Sequence, residues 1–376
     1  MSDDRMNAWK RVHKWHHRGL EFAYRYCPSP EPKGLVFMFH GFLDHSGTFD
    51  LLIPRLSDEF TYVALDFRGH GDSDWQPKSV SSYNLIDFIS DACLFIRWFQ
   101  LSFGDRRFPL FPAMHAKEYV APRARSRAYK KHPMPSFIVA HSLGSIVSTA
   151  AAAVPGLGIQ GLVCIENAGV GAIPLKLEDR RRAHSFRWVL RGALQPRSRR
   201  FYESSEEALT RISESHVSGN AEVARHLGQQ ALKTVGAGGV CWKSDPRLSM
   251  HHEFWHASPG TEAQILKHLQ CPVLVIGGKE GFGAKFREHF EPKVKAINKN
   301  KRVHLRLAML PGGHHLHCEQ ENVDAVAEVI AKFLRKQRER WETLQEHSDD
   351  DADETENQEI EEVSMQQSAA PTRAAL

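Results

Sequence analysis

Short apolar runs recur along the chain, and each is bounded by glycine, proline or polar residues. Runs this apolar are typical of central strands in a parallel sheet that helices cover on both faces. The predicted strands are 34–39, 61–65, 137–140, 161–165, 272–276 and 303–310, with 20–26 as an antiparallel edge strand. The pattern predicts an α/β fold with a mostly parallel, doubly wound sheet.

Helical periodicity separates these strands, at 49–56, 85–103, 145–154, 261–269, 282–296 and 322–340. Two stretches are too long for ordinary connections. The domain division predicted from this pattern is an N-terminal extension (1–17), a first half of the core (18–168) with a basic surface insertion (104–133), a helical cap (169–260), a second half of the core (261–340) and an acidic disordered tail (341–376). A cap of this size is expected above the carboxyl ends of the strands, where ligands bind in open α/β sheets.

The formal net charge of +4 is small for 376 residues, but it is unevenly distributed. Lysine and arginine crowd 106–131 and 176–200, whereas 349–362 is strongly acidic and lacks aromatic residues. Such a tail indicates solvated disorder. Basic segments can bind nucleic acid, yet they more often form plain surface, so no nucleic-acid partner is expected.

Six cysteines lie singly along the chain, and no two of them form a C-x-x-C pair. This usage favours a reducing compartment. The first residues carry acids and no apolar segment of a secretory signal, and no apolar run approaches the roughly 20 residues that span a bilayer. We therefore expect a cytoplasmic protein without a transmembrane segment.

Candidate chemistry begins where the strand at 137–140 breaks at a serine. Ser142 has Ala140 two residues before it and Gly144 two residues after it, close to the G-x-S-x-G pattern of a strand-to-helix turn that exposes a nucleophile. Small residues are needed there because the strand and the helix converge. The alternative is that Ser142 is only the N-cap of the following helix.

An acyl-transfer site also needs two N–H donors for the oxyanion. The natural pair is the amide of Phe42, in the turn after the first central strand, and that of Leu143, the residue after the nucleophile.

A histidine follows the last predicted strand, in the sequence PGGHHLH. His314 can serve as the general base of Ser142, provided that an acid holds its other nitrogen. His315 and His317 lie close in sequence, and three neighbouring histidines would also suit a metal. No accompanying acidic or cysteine cluster is evident in the sequence, so neither a metal nor a cofactor is expected.

The segments HGFLDHSGTFDLLIPRLSDEFTYVALDFRGHGDSDW, AHSLGS and PGGHHLH, in this order and spacing, resemble the α/β-hydrolase superfamily and are most similar to its serine hydrolase-like proteins. The resemblance covers about 19–335, and 238–248 is similar to a stretch that such relatives carry before the penultimate core strand. It implies an α/β-hydrolase fold with a catalytic triad and an oxyanion hole.

The acid of the triad has two candidates. In this fold the acid can follow the penultimate core strand, where Glu280 lies, or the strand after the nucleophile helix, where Glu166 lies. The resemblance favours Glu166, because serine hydrolase-like relatives tend to carry an acid there, and leaves Glu280 open.

The expected function is a serine hydrolase that cleaves an ester, a thioester or a similar acyl bond of a small molecule through an acyl-enzyme. One alternative is a catalytically inactive binding or interaction protein. A second is a cofactor-free, non-hydrolytic enzyme on the same fold.

Overall fold

A computed structural model describes residues 3–80, 83–104, 134–170, 194, 198–213, 220–236, 238–250, 258–285, 287–300 and 303–368. An eight-stranded sheet forms its centre, in the order β1-β2-β4-β3-β5-β6-β10-β11. These strands are β1 Val12–His17, β2 Leu20–Cys27, β3 Gly34–Phe39, β4 Phe60–Leu65, β5 Ser136–His141, β6 Ile159–Ile165, β10 Val273–Gly278 and β11 Leu305–Leu310. Strand β2 pairs antiparallel with both of its neighbours, β1 and β4. All other neighbouring strands, from β4 to β11, pair in parallel.

The four strands β3, β4, β5 and β10 are buried at every position. Full burial explains their continuous apolar runs, because both faces of a parallel sheet are covered by helices. The predicted α/β-hydrolase fold with a mostly parallel sheet is confirmed.

Helices pack on both faces of this sheet. The helices are α1 Asp3–Trp9, α2 Leu85–Gly104, α3 Leu143–Ala152, α4 Ser205–Ser213, α5 Ala221–Ala231, α6 Pro259–His268, α7 Phe282–Lys285, α8 Arg287–Asn298 and α9 Val323–Ser368. One core lies between the sheet and α2, α3, α6 and α8, whereas α1 and α9 enclose the other. The carboxyl ends of the parallel strands therefore remain available for a site.

Residues 3–17 are part of the fold, although the sequence predicts an extension over 1–17. Trp9 of α1 is fully buried, and β1 pairs with β2 along its whole length. The predicted boundary after residue 17 therefore falls inside a β-hairpin. The sequence hides this strand because β1 is at the sheet edge, and Trp15 is its only buried residue.

One predicted helix is replaced by shorter elements. In place of a helix over 49–56, the chain forms two short 3-10 helices, Ser46–Phe49 and Ile53–Arg55. Pro54 lies in the first turn of the second one, where its missing N–H group prevents a continuous helix. The helix predicted over 282–296 corresponds to α7 and α8, on either side of residue 286, which lies outside the described residues.

The described part of the predicted cap is not purely helical. It contains α4 and α5, but also a three-stranded antiparallel sheet in the order β7-β9-β8. Its strands are β7 Phe201–Tyr202, β8 Leu232–Val235 and β9 Gly239–Trp242. Within the cap, the sequence has helical periodicity over 177–194 and 205–234. In the second of these stretches the helix gives way to strand β8 at Leu232, and the first lies almost entirely outside the described residues.

The chain after residue 341 also differs from the prediction. Helix α9 continues to Ser368, where the sequence indicates a disordered acidic tail from 341. No proline lies between Val323 and Ser368, and glutamate and glutamine are good helix formers. The basic insertion lies outside the described residues apart from Gly104, which ends α2. None of the helices in the described ranges is both long and apolar enough to cross a bilayer.

Candidate active site

Ser142 occupies a sharp turn between β5 and α3. Its backbone has φ 49° and ψ −110°, a conformation that L-residues rarely adopt. Its N–H donates to the carbonyl of Ile165 at the end of β6, 2.9 Å away. The side chain makes no capping hydrogen bond to α3, which argues against the N-cap alternative. The hydroxyl is held at the carboxyl edge of the sheet and is partly exposed.

The residue two after the serine must be glycine. A Cβ atom at Gly144 would lie 2.1 Å from the carbonyl oxygen of Phe39 in β3, far inside van der Waals contact. Ala140 is fully buried in β5, and its carbonyl accepts a hydrogen bond from the Ser145 hydroxyl at 2.9 Å. The fold therefore accommodates the alanine in place of the first glycine of the pattern.

His314 and Glu166 lie in direct contact. The Nδ1 of His314 is 3.1 Å from Oε2 of Glu166. The side chain of Glu166 is fully buried, whereas that of His314 is 17% exposed. An ionised carboxylate can only accept, so the imidazole donates its Nδ1–H, and the Nε2 lone pair of neutral His314 is then available as a base.

Three hydrogen bonds to backbone groups hold Glu166 in place. Its Oε1 accepts from the Gly278 N–H at 2.5 Å, and its Oε2 accepts from the Phe282 N–H. Its own N–H donates to Ile276 in β10 at 2.7 Å, and its φ is 58°. Backbone donors fix the carboxylate so that Oε2 faces the imidazole of His314.

Glu280 has a different position. Its side chain is exposed, and Oε2 accepts from the Gly312 N–H at 2.7 Å, while its own N–H donates to the Gly312 carbonyl at 3.1 Å. Glu280 thereby ties the loop after β10 to the start of the histidine loop. Of the two candidate acids, the structure brings Glu166 to His314.

The turn after β3 carries Phe42 and is fixed by His40. The Phe67 N–H donates to Nε2 of His40 at 2.9 Å, so the proton of this imidazole is on Nδ1, which donates to the Gly41 carbonyl at 2.7 Å. Burial lowers the pKa of His40 to about 3 and keeps the ring neutral. Since C=O and N–H point oppositely across a trans peptide, this bond turns the Phe42 N–H away from His40.

Both predicted amides lie beside the serine. A Cβ atom at Gly41, the residue before Phe42, would be 3.4 Å from Cβ of Ser142. Leu143 is the first residue of α3, where an N–H group has no carbonyl partner within the helix. Phe42 is partly buried, with its ring 6.0 Å from that of His70.

His141 connects the serine turn to the histidine loop, and sequence reasoning missed it. Its Nε2 donates to the His314 carbonyl at 2.9 Å, and the two rings lie 4.7 Å apart. Burial and the neighbouring histidines lower its pKa well below the usual value, so the ring is neutral. Its place directly before Ser142 is the one signal in the sequence that could have identified it.

His315 and His317 lie behind His314 and are both buried. The Nε2 of His317 is 3.0 Å from the Thr48 hydroxyl, and burial lowers its pKa to about 3. Burial also lowers the pKa of His315 well below its usual value, so both rings are neutral.

Two exposed apolar side chains belong to loops that carry site residues. Leu43 is 44% exposed and follows Phe42 in the turn after β3. Phe282 is 49% exposed, and its ring lies 5.6 Å from that of His314.

Sequence and structure comparisons agree with this architecture. A sequence profile described as the alpha/beta hydrolase family matches residues 35–329. A serine hydrolase-like protein of Dictyostelium discoideum is 23% identical over 334 residues, which cover 85% of this chain and 80% of that protein.

Two solved structures share the fold. A hypothetical protein from Pseudomonas aeruginosa PAO1 has a TM-score of 0.66 and 23% identity, covering 86% of this chain and 99% of its own. The thioesterase domain from the curacin biosynthetic pathway has a TM-score of 0.62 and 19% identity, covering 85% and 98%. The profile match spans most of the sequence, and the chain belongs to the alpha/beta hydrolase family.

Proposed function

We propose that this chain is a serine hydrolase that cleaves an ester, a thioester or a similar acyl bond of a small molecule. The observation that carries the proposal is the contact of 3.1 Å between His314 Nδ1 and Glu166 Oε2, which the hydrogen bond from His141 to the His314 carbonyl links to Ser142 in its strained, uncapped turn. A buried acid that holds a histidine by Nδ1 leaves Nε2 as a base, as nucleophilic catalysis requires.

In the first half of the reaction, the Ser142 hydroxyl attacks the carbonyl carbon as Nε2 of His314 takes its proton. Glu166 stabilises the imidazolium that forms, and its two backbone donors keep its carboxylate oriented. The tetrahedral intermediate expels the alcohol or thiol, which takes the proton from Nε2. The serine is left acylated.

The negative oxygen of the intermediate is stabilised by the amides of Phe42 and Leu143. The bond from His40 to the Gly41 carbonyl fixes the first of these peptides before substrate arrives. Preorganised donors of this kind contribute about 2.7 to 4 kcal/mol each to lowering the barrier.

In the second half, water attacks the acyl carbon and gives its proton to Nε2 of His314. The carboxylic acid leaves, and the proton returns to Ser142. The exposed apolar side chains of Leu43 and Phe282 favour an acyl or alcohol group with apolar surface. A thioesterase domain among the fold neighbours supports thioesters as one substrate class to assay.

Covalent labelling tests the nucleophile. We expect a fluorophosphonate probe to label the wild-type chain once between about pH 6 and 9, with the adduct mapped by mass spectrometry to Ser142. Ser142→Ala should abolish labelling. Hydrolysis of a panel of acyl esters and thioesters by the same two proteins then identifies the bond that is cleaved.

Ser145→Ala is the matched control. Ser145 lies one turn into α3 and is buried, with its hydroxyl donating to the Ala140 carbonyl. This variant should label like wild type. A folded wild-type chain that never reacts with the probe would contradict the proposal and favour a binding protein on a hydrolase fold.

A further inference from the structure

A second cluster of side chains lies directly behind the serine turn. Asp44, in the turn after β3, has Oδ2 3.9 Å from Nδ1 of His141. One ring nitrogen of His315 completes a set of three donor atoms that lie within 4.8 Å of one another. All three side chains are more than nine-tenths buried.

The donor atoms of this cluster lack hydrogen-bond partners. Among the residues that the structure describes, Asp44 Oδ2, His141 Nδ1 and His315 Nδ1 are buried without one. The other atoms of two of them are occupied, since Asp44 Oδ1 accepts from the His45 N–H at 2.8 Å and His141 Nε2 donates to the His314 carbonyl. Buried polar atoms are almost always paired, so the neighbouring exceptions at Asp44 Oδ2 and His141 Nδ1 point to a ligand between them.

The tautomer of His141 suits a metal ion. Because neutral His141 donates through Nε2, its Nδ1 carries a lone pair that faces Asp44. Metal-bound histidines commonly donate their other nitrogen to a backbone carbonyl, as His141 does to His314.

Glycine leaves space beside this nitrogen. A Cβ atom at Gly41 would lie 2.8 Å from Nδ1 of His141, so any larger residue would fill the position where a ligand of that nitrogen must sit. Donors about 4.2 Å apart or less can share an ion bound at about 2.1 Å from each. The Asp44–His141 pair, at 3.9 Å, satisfies this limit, and the donor nitrogen of His315 lies within 4.8 Å of both.

We propose that Asp44, His141 and His315 form a buried site for a divalent transition metal of the zinc class. Two imidazoles and one carboxylate suit Zn²⁺ and its neighbours Co²⁺ and Ni²⁺, whereas Ca²⁺ and Mg²⁺ prefer oxygen donors throughout. Sequence reasoning missed the site because its acid lies about 270 residues before the histidine loop.

Zinc binding is measured on the full chain carrying Ser142→Ala, so that the test does not depend on the proposed hydrolase activity. A chelator first removes any bound metal. Competition with a chromophoric chelator should give one tight equivalent of Zn²⁺. Asp44→Asn and His315→Phe should each weaken binding at least about tenfold, because losing a direct ligand exceeds the typical effect of losing a supporting residue. Co²⁺ should give a visible absorption band that both variants lose.

His16→Gln is the control, since exposed His16 forms a surface pair with Glu21 at 2.9 Å. It should bind zinc like the parent. Thermal unfolding shows whether each variant is folded. If Asp44→Asn does not fold, His315→Phe still tests the proposal. The proposal is overturned if no tight equivalent binds, or if the equivalent survives both variants.

Discussion

Two neighbouring loops at the carboxyl edge of the sheet each carry a glutamate, and the chain uses them differently. Glu166, after β6, is fully buried, accepts two backbone hydrogen bonds and touches His314. Glu280, after β10, is exposed and accepts one hydrogen bond from Gly312. One glutamate orients an imidazole, and the other fastens a loop.

The difference shows that nearness to the site does not decide which carboxylate serves it. Both strands end at the same edge, and the two loops are in contact, because Oε1 of Glu166 accepts from Gly278 at the end of β10. Burial and a fixed set of donors distinguish Glu166. A carboxylate with backbone donors on two oxygens has one orientation, whereas an exposed one exchanges its partners with water.

The largest effect is expected when Glu166 is replaced by glutamine, with Glu280 as the residue for comparison. In Glu166→Gln an amide replaces the carboxylate, so its NH2 group must face a backbone N–H or the His314 N–H. We expect kcat to fall about 10⁴-fold, as when the triad acid of a serine protease is replaced by its amide. Steady-state hydrolysis of the best ester or thioester substrate measures this.

Glu280→Gln is the matched variant. Its amide oxygen can still accept from Gly312, so kcat should stay within a factor of about three of wild type, as for most surface substitutions. The reverse order of effects would make Glu280 the triad acid. Equal, small effects would mean that no acid orients His314.

A smaller effect should follow from crowding Glu166 without changing it. A Cβ atom at Gly281 would lie 2.4 to 2.5 Å from the Glu166 carboxylate, and the φ of Gly281 is not positive. Gly281→Ala should therefore displace the carboxylate and lower kcat about 100-fold, the typical cost of a misplacement near 1 Å. Gly260→Ala is the control, because its nearest neighbour is Ser258 Oγ at 3.7 Å. Unchanged kcat in Gly281→Ala would contradict a fixed Glu166.

The same comparison of a buried with an exposed side chain applies to the histidines, through the stability of the protein in acid. Burial lowers the pKa of His70 to about 3 from 6.5, so the unfolded chain binds a proton that the folded chain does not. Stability from this residue is present above pH 6.5 and is lost as the pH falls towards 3. Between pH 6.5 and 4.5 it should account for about 2 kcal/mol of the decline in the free energy of unfolding.

Urea denaturation of wild type, His70→Asn and His16→Asn over this pH range tests the assignment. His70→Asn should be less stable near neutral pH but flatter in its dependence on pH. His16 is 48% exposed, so His16→Asn should follow the wild-type curve. Parallel curves for all three proteins would mean that His70 takes up its proton in the folded state.

The sequence predicts those parts of the fold that depend on continuous burial. Strand β3 matches its predicted bounds, and β5 and the other central strands begin or end within two residues of theirs. The family and the fold follow from the order of the motifs, and the turn at Ser142 follows from Gly144, which no larger residue could replace.

Elements that lack a continuous run of apolar residues are not predicted from the sequence. Strand β1 leaves only Trp15 buried, and two short 3-10 helices, the second of which contains Pro54, replace the helix predicted over 49–56. The acidic composition after 341 indicates disorder and equally permits the observed helix. Contacts between distant segments, such as Asp44 with His141, depend on the topology and leave no local pattern.

The positive φ angles of Ser142 and Glu166 have a consequence for engineering. These residues directly follow the adjacent strands β5 and β6, and conformations of this kind cost about 1 to 3 kcal/mol each for residues other than glycine. A search for a more heat-resistant chain would therefore select Ser142→Gly early, whereas Glu166→Gly would also leave the N–H groups of Gly278 and Phe282 without their acceptor. Selection for stability alone would thus remove the proposed nucleophile first, so such a search must score turnover together with melting temperature.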